Sequence, residues 1–136
     1  MAHTIATQVL LDNTRKTIIK FTAQCDGVTG ELNGQIIYDA SAYVSPTTHT
    51  GIEYIEYACV GCSAKILWDA TTDVFVLGLV SDHQAFIKMN DGNHELYNLP
   101  NDSAVGKTGD ILISTNGFTA NTDHITIIMS VIKKSV

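Results

Sequence analysis

The stretch "HITIIMSVI", residues His124–Ile132, decides the fold that this sequence predicts. Every second residue along it is apolar, which is the spacing of one face of a β-strand. That face consists of Ile125, Ile127, Met129 and Val131. The opposite face is apolar too, because it carries Ile128 and Ile132. A strand that is apolar on both faces is typical of the centre of a sheet or of a contact between subunits.

The rest of the chain continues the strand pattern outward from this segment. "TIATQVLL" and "KTIIKFTAQ" flank the turn "DNTR", "AKILW" and "VFVLGL" flank the polar tip "DATTD", and "AFIKM" and "HELYN" flank "NDGN". "QIIYDAS" and "DILIST" are further short β-branched runs. Short strands with regular turn signals predict an all-β fold. We expect a single domain, residues 1–136, folded as an antiparallel β-sandwich (jelly-roll-like) or a flattened barrel.

The segment "TGIEYIEYACVGC", residues 50–62, is ambiguous. Its apolar residues recur at roughly helical spacing, and Thr50 and Glu53 are placed as in a capping box. Against a helix, Ile, Tyr and Val dominate the segment and Gly61 interrupts it. We favour a long strand with a bend or bulge near Gly61.

The composition limits the classes of partner. Of the 136 residues, 45% are hydrophobic and only 16% are charged, and the net charge is −6. An acidic chain without a basic stripe is not suited to the phosphate backbone of a nucleic acid. The low charged fraction predicts a surface that is mostly neutral and polar, or one that a partner covers.

No targeting or membrane signal is expected. The start, "MAHTIATQVLLDNTRK", has no basic region and no long apolar run, and nothing elsewhere approaches the ~20 apolar residues of a membrane helix. We therefore expect synthesis in a cytoplasm, with the three cysteines as reduced thiols.

Gly106-Lys107-Thr108 matches the end of a phosphate-binding loop, which would imply a nucleotide. Asn101 stands where that motif needs its first glycine, and "DILIST" follows instead of a helix. The tripeptide is predicted to be a polar turn before a strand, with Lys107 at its solvated tip. No cofactor is expected.

Cys59-Val60-Gly61-Cys62 has the spacing of half a zinc site or of a redox pair. The remaining candidate ligands are scattered rather than paired: Cys25, His3, His49, His83, His94 and His124. A redox pair would also need a βαβ setting that this chain lacks. Cys59 and Cys62 are predicted to be buried core thiols, with no metal bound.

No set of catalytic residues stands out. Asp82-His83 and Asp123-His124 are adjacent pairs, and neighbours on a strand point to opposite faces. Ser63 in "GCSAK" lacks the second glycine of a nucleophile elbow. Glu53 and Glu56 would lie on opposite faces of a strand and could pair only in a helix. We expect no enzymatic activity.

Trp68 and its neighbours have two interpretations. The tryptophan could stack on a sugar, but packing across the core of a sandwich is the preferred interpretation. Asp69 and Asp73 bracket the tip "DATTD" and could bind a cation, although Asp is also a favoured turn residue.

Several stretches together resemble small structural proteins of tailed bacteriophages. They are "TRKTIIKFTAQCDG", "IIYDAS" followed by "YVSP", "KILWDATTDVFVLGL", and "TGDILISTNGFTANTDHITIIMSVIKK". The resemblance covers most of the chain and depends on the order of segments. It implies an all-β virion protein without activity, most closely a capsid decoration or cement protein. Such a protein binds the major capsid protein on the outer capsid surface and stabilises the shell, as a homo-oligomer (a trimer by analogy). "CVGC" is not part of the resemblance.

The alternative is a receptor-binding or carbohydrate-binding module of a tail or fibre. Its sugar platform would consist of exposed aromatic side chains: Tyr43, Tyr54, Tyr57 and Tyr97.

Overall fold

The computed structural model describes residues 2–88, 99–103 and 105–134. Two antiparallel sheets form a β-sandwich, which confirms the predicted fold class. The strands are β1 (Thr4–Asp12), β2 (Lys16–Gln24), β3 (Gln35–Tyr38), β4 (Thr50–Val60), β5 (Ser63–Trp68), β6 (Val74–Leu79), β7 (His83–Lys88), β8 (Leu99–Pro100), β9 (Ile111–Asn116) and β10 (His124–Lys133). A single 3-10 turn spans Ala40–Ala42. Within the described residues, no helix is long and apolar enough to cross a membrane.

The two sheets differ in size. The large sheet has six strands in the order β1-β2-β10-β4-β7, with β8 also paired to β4. The small sheet has four strands in the order β3-β9-β5-β6. Their facing sides hold one buried cluster, in which Phe21 of the large sheet and Ile113 and Trp68 of the small sheet are fully or almost fully buried. The interpretation of Trp68 as a core residue is confirmed.

β10 is central in the large sheet, as its sequence predicts. It pairs with β2 on one side and with β4 on the other, so that Ile127 stands between Phe21 and Tyr57. Every residue of its inner face is buried: Ile125, Ile127, Met129 and Val131. On the outer face, the buried hydroxyl of Ser130 donates a hydrogen bond to Glu53 Oε1 at 2.9 Å.

The ambiguous segment is a strand, and the helical alternative is wrong. β4 runs from Thr50 to Val60 in register with β10 and β7. Its bulge lies at Glu53, where the register with β10 shifts, because Tyr54 pairs with Ser130 and Ile52 with Val131. At Gly61 the chain instead leaves the large sheet and enters the small one.

Gly61 allows that crossing for two reasons. Its φ of +78° is strained for any residue with a side chain. A Cβ at this position would also lie 1.9 Å from Asp123 Oδ1. The carboxylate of Asp123 accepts hydrogen bonds from the backbone N–H of Thr119 (3.0 Å) and Ala120 (2.9 Å) and so holds the loop before β10.

The predicted hairpins are partly confirmed. β1 pairs with β2, and β5 pairs with β6, across the two predicted turns. "QIIYDAS" and "DILIST" contain β3 and β9, which pair with each other. "AFIKM" contributes to β7, whereas "NDGN" and "HELYN" lie outside the described residues.

We expect Ile127→Ala to destabilise the fold by about 2–5 kcal/mol, because it opens a cavity at the buried centre of the large sheet. Ile128→Ala on the same strand is the matched control, since Ile128 faces outward and is only half-buried. Urea unfolding of both variants measures the difference. Equal losses for the two variants would contradict the central position of β10.

Candidate functional site

The candidate functional site is β1, an edge strand of the large sheet whose side chains are exposed on both faces. Every residue from Thr4 to Leu11 is exposed, and only Asp12 is partly buried. Val9 is 49% exposed and Leu10 is 48% exposed. Among the described strands, β1 pairs with β2 on one side only, so within this part of the chain the backbone groups of its other edge have no strand partner.

The inner face of β1 is left uncovered by the small sheet. Ile5 and Val9 pair with Ala23 and Ile19 of β2, which are fully buried in the core. The core-facing side of the large sheet therefore continues onto β1, where it meets water. The register shift between Val9 and Leu11 makes Leu10 the extra residue of a bulge.

β1 lacks most of the protection that natural edge strands carry. Edges are commonly blunted by lysine, by proline or by inward-pointing charges. "TIATQVLLD" contains no Lys, Arg or Pro, and its single charged residue is Asp12 at the very end. By contrast, β7 at the opposite edge of the large sheet carries His83 at one end and Lys88 at the other.

An ion pair between the partly buried Asp12 and the buried side chain of Lys133 fixes the end of β1. Lys133 Nζ lies 2.7 Å from Asp12 Oδ1, and the lysine side chain is only 3% exposed. Lys133 also donates to the carbonyl oxygens of Asn13 (2.8 Å) and Val44. Asp12 accepts further hydrogen bonds from the N–H of Val44 and the hydroxyl of Thr17. Burial acts to raise the pKa of Asp12, but the bonds from Lys133, Val44 and Thr17 outweigh it and lower this pKa.

The two cysteines of "CVGC" lie at the crossing between the sheets, and each is 1% exposed. Both are free thiols. Burial raises the pKa of Cys59 to about 11 and that of Cys62 to about 12. They are therefore protonated at neutral pH, so neither carries the thiolate that an activated nucleophile needs. The interpretation as core thiols is confirmed.

The adjacent Asp–His pairs do not form hydrogen bonds within themselves in the described part of the chain. Asp82 accepts from the N–H of Gly61 at 2.7 Å, while the ring of His83 lies 6.5 Å from that of Tyr57. His124 Nδ1 lies 3.1 Å from the carbonyl oxygen of Thr122.

The other candidate residues have structural contacts. The bulge at Glu53 turns its carboxylate to Ser130 on the outer face, and Glu56, which pairs with Ile128 and Phe86, lies on the same face. The prediction that the two glutamates lie on opposite faces of the strand is therefore wrong. Ser63 begins β5. These residues are not brought together as a catalytic set.

The Gly106-Lys107-Thr108 loop packs on the β5–β6 hairpin. The Thr108 hydroxyl donates to Asp69 Oδ2 at 2.8 Å, and the Thr71 N–H donates to the Val105 carbonyl oxygen at 3.0 Å. Gly106 has a φ of +76° and fits closely against Thr71. The predicted turn is confirmed, and Asp69 acts as its acceptor. Asp73 accepts from the N–H of Ala70 within the hairpin tip.

The three described tyrosines of the predicted sugar platform do not come together on one surface. Tyr57 is buried, and its hydroxyl accepts from the Val80 N–H at 3.2 Å, so its prediction as an exposed residue is wrong. Tyr43 stacks on Tyr38 with ring centroids 5.0 Å apart. Tyr54 lies beside Phe86 on the outer face of the large sheet. Tyr97 lies outside the described residues.

The structure brings together one group that the sequence did not suggest: His3, Cys25 and Asp26, whose ligand-type atoms lie within 4.8 Å of one another. His3 Nε2 lies 2.6 Å from the Gly30 carbonyl oxygen, and Nδ1 lies 3.2 Å from the Asp26 N–H. Hydrogen bonds from Thr29 and Val28 hold the pKa of Asp26 well below its usual range. A metal ion could use these three atoms only by displacing existing hydrogen bonds. Among the described residues, no such group includes Cys59 or Cys62.

Comparison with known proteins leaves the family of this chain open. No protein-family model matches it, and no curated protein matches it. Among solved structures, a mutant of CBM29-2, described as a family 29 carbohydrate-binding module, aligns with 95% of this chain and 92% of its own. The TM-score is 0.38 and the sequence identity is 12%, a similarity too low to carry an argument about function.

We expect Asp12→Asn to lower the stability of the fold at pH 7, because Lys133 then loses its buried counter-charge. A lowered pKa contributes stability that is complete above the ordinary value of 3.8 and is lost as the pH falls through the folded-state value. The difference from the native protein should therefore shrink below about pH 4. Asp102→Asn is the control, since Asp102 is exposed. Thermal unfolding between pH 3 and pH 7 measures this, and a pH-independent difference would contradict the ion pair.

We expect Cys59 and Cys62 to resist a thiol-specific reagent in the native protein at pH 8 and to react at once after unfolding in guanidinium. Burial and raised pKa values both suppress the thiolate form. Timed labelling followed by mass spectrometry assigns each site. Rapid labelling of either residue in the folded protein would contradict the core-thiol interpretation.

Proposed function

We propose that this chain is a non-enzymatic structural protein that works by associating with further protein chains, and that the association between copies occurs along β1. The setting is the one that the sequence resemblance implies, a bacteriophage capsid. There the protein is a decoration protein on the outer surface of the shell, bound to the major capsid protein.

The observation that carries the proposal is the exposure of β1. Apolar side chains on both faces and an open backbone edge are the two elements of strand addition, in which main-chain bonds provide affinity and alternate side chains provide specificity. A second copy of β1, running antiparallel about a two-fold axis, complements both elements because each chain presents the same donors and acceptors.

The area of the strand sets the expected strength of this contact. Nine residues at about 3.4 Å each give a contact roughly 30 Å long. One strand offers less than the roughly 800 Å² per partner of a standard stable interface. Copies joined only by β1 therefore associate weakly, and attachment of the oligomer to a repeating shell adds avidity. The net charge of −6 also suits a particle surface that carries many copies, because a net negative charge helps to keep the particles soluble.

We expect the native protein to sediment as a dimer at high concentration, in place of the trimer that the resemblance implies, and Val9→Lys to sediment as a monomer, because a charge is placed on the inner face of the open edge. Val80→Lys is the matched control, since Val80 is at least as exposed but lies outside β1. Analytical ultracentrifugation over a concentration series measures both variants.

The capsid role is tested with expanded shells that lack the protein. Native protein should bind them and raise their resistance to heating, and Val9→Lys should bind more weakly because avidity is lost. Native protein that stays monomeric, or a Val80→Lys variant that behaves like Val9→Lys, would contradict the assignment to β1. Native oligomers that fail to bind or protect the shells would contradict the capsid setting alone.

A further inference from the structure

The outer face of the small sheet contains a groove that the proposed assembly does not use. It crosses β6, β5 and β9 and has a volume of about 470 Å³, within the range of about 300–1,000 Å³ typical of small-molecule sites. Lys65 of β5 pairs with Gly78 on one side and Ser114 on the other, and Ser63 pairs with Asn116. The ring of Phe75 lies at the β6 side and is 59% exposed. We refer to this site as the Phe75 groove.

Gly78 leaves the space in which the groove forms. It lies inside β6 and, unlike Gly61, has no positive φ that would require glycine. A Cβ added there would lie 4.0 Å from Phe75 Cζ, so the end of the ring approaches the bare backbone. Glycine inside a strand weakens it and often marks a bulge, such as the register shift at Val76, or a place where a ligand or another backbone approaches closely.

The polar groups around the ring are available for a ligand. Among the described residues, no hydrogen bond or ion pair engages the side chains of Lys65, Asn116 and Ser63. The Ser114 hydroxyl accepts from the Gly34 N–H at 2.9 Å and retains its own proton for donation. An ammonium, an amide and two hydroxyls thus surround one exposed aromatic ring.

The charge of the groove differs from that of the whole chain. The net charge of the protein is −6, yet the residues that line the groove include Lys65 and no carboxylate. The lining residue Thr115 donates its hydroxyl to the carboxylate of Glu31 at 2.8 Å. The carboxylate oxygens also accept from the N–H of Gly117 and of Phe118, so Glu31 is already bonded within the loop.

We infer that the Phe75 groove binds an acidic saccharide. A sugar ring offers an apolar C–H face that packs on the exposed phenyl ring, and its hydroxyls match the amide of Asn116 and the hydroxyls of Ser63 and Ser114. One carboxylate on the sugar pairs with the single ammonium of Lys65. A nucleic-acid strand would need several cations along the groove, and a purely apolar ligand would leave these donors unpaired. This site stands independently of the proposed assembly along β1.

The experiment titrates the protein with tetragalacturonate and with the neutral tetrasaccharide of galactose, followed by isothermal calorimetry at low salt. We expect tetragalacturonate to bind with a dissociation constant on the order of 0.1–1 mM and the neutral sugar to bind at least about fivefold more weakly. Lys65→Gln should remove this preference for the acidic sugar. Phe75→Ala should weaken binding about five- to tenfold, the effect of losing an aromatic contact.

Two variants distinguish binding in the Phe75 groove from binding to exposed aromatic side chains elsewhere on the protein. Phe86→Ala removes an equally exposed phenylalanine (56%) from the large sheet and should leave the affinity unchanged. Gly78→Val places a strand-favouring side chain on the floor of the groove and should abolish binding without lowering the melting temperature. Failure of both sugars to bind, equal affinity for both, equal losses from Phe75→Ala and Phe86→Ala, or native affinity in Gly78→Val would each overturn the inference.

Discussion

The burial of β10 is the constraint on which the rest of the structure depends. A strand whose whole inner face is apolar needs a second sheet above it, and apolar residues on its other face favour the centre of a sheet. β2 and β4 provide the neighbours, and β5 and β9 contribute the fully buried Ile66 and Ile113 opposite them. Because the chain reaches β10 last, the central position is filled by long-range pairing, and both edges of the large sheet are made from segments that precede it.

The unequal size of the two sheets explains why the inner face of β1 is exposed to solvent. Four strands cannot cover a sheet of six, so the inner face of β1 extends beyond the core. Elsewhere polar side chains fix the loops: Asp123 accepts backbone hydrogen bonds in the loop before β10, and Lys133 forms an ion pair with Asp12. In β1 such an interaction occurs only at the last residue, Asp12. β1 therefore adds a row of four exposed apolar side chains along one edge of the large sheet: Ile5, Val9, Leu10 and Leu11.

The sequence was sufficient to predict the fold class and those strands whose pattern of apolar residues identifies them locally. The two-faced apolarity of His124–Ile132 predicted the central strand, and the β-branched content of Thr50–Val60 predicted a strand despite its helical spacing. Gly61 was correctly singled out, but a crossing between sheets cannot be distinguished from a bend without knowing which strands pair. The same limit hid the groove, because Lys65 meets Ser114 only through the pairing of β5 with β9. Tyr57 was misjudged because alternation does not say which face of β4 is buried.

The most direct test of the account is hydrogen exchange at the backbone of β1. Half of its amides point away from β2, and these are open to water in an isolated chain but bonded in an assembly along this edge. Exchange is measured by NMR in dilute protein and in concentrated protein. The account predicts that the outward amides of β1 become protected on concentration while the amides of β10, which has a paired strand on each side, remain unchanged. Fast exchange of the β1 amides in the assembled protein would contradict it.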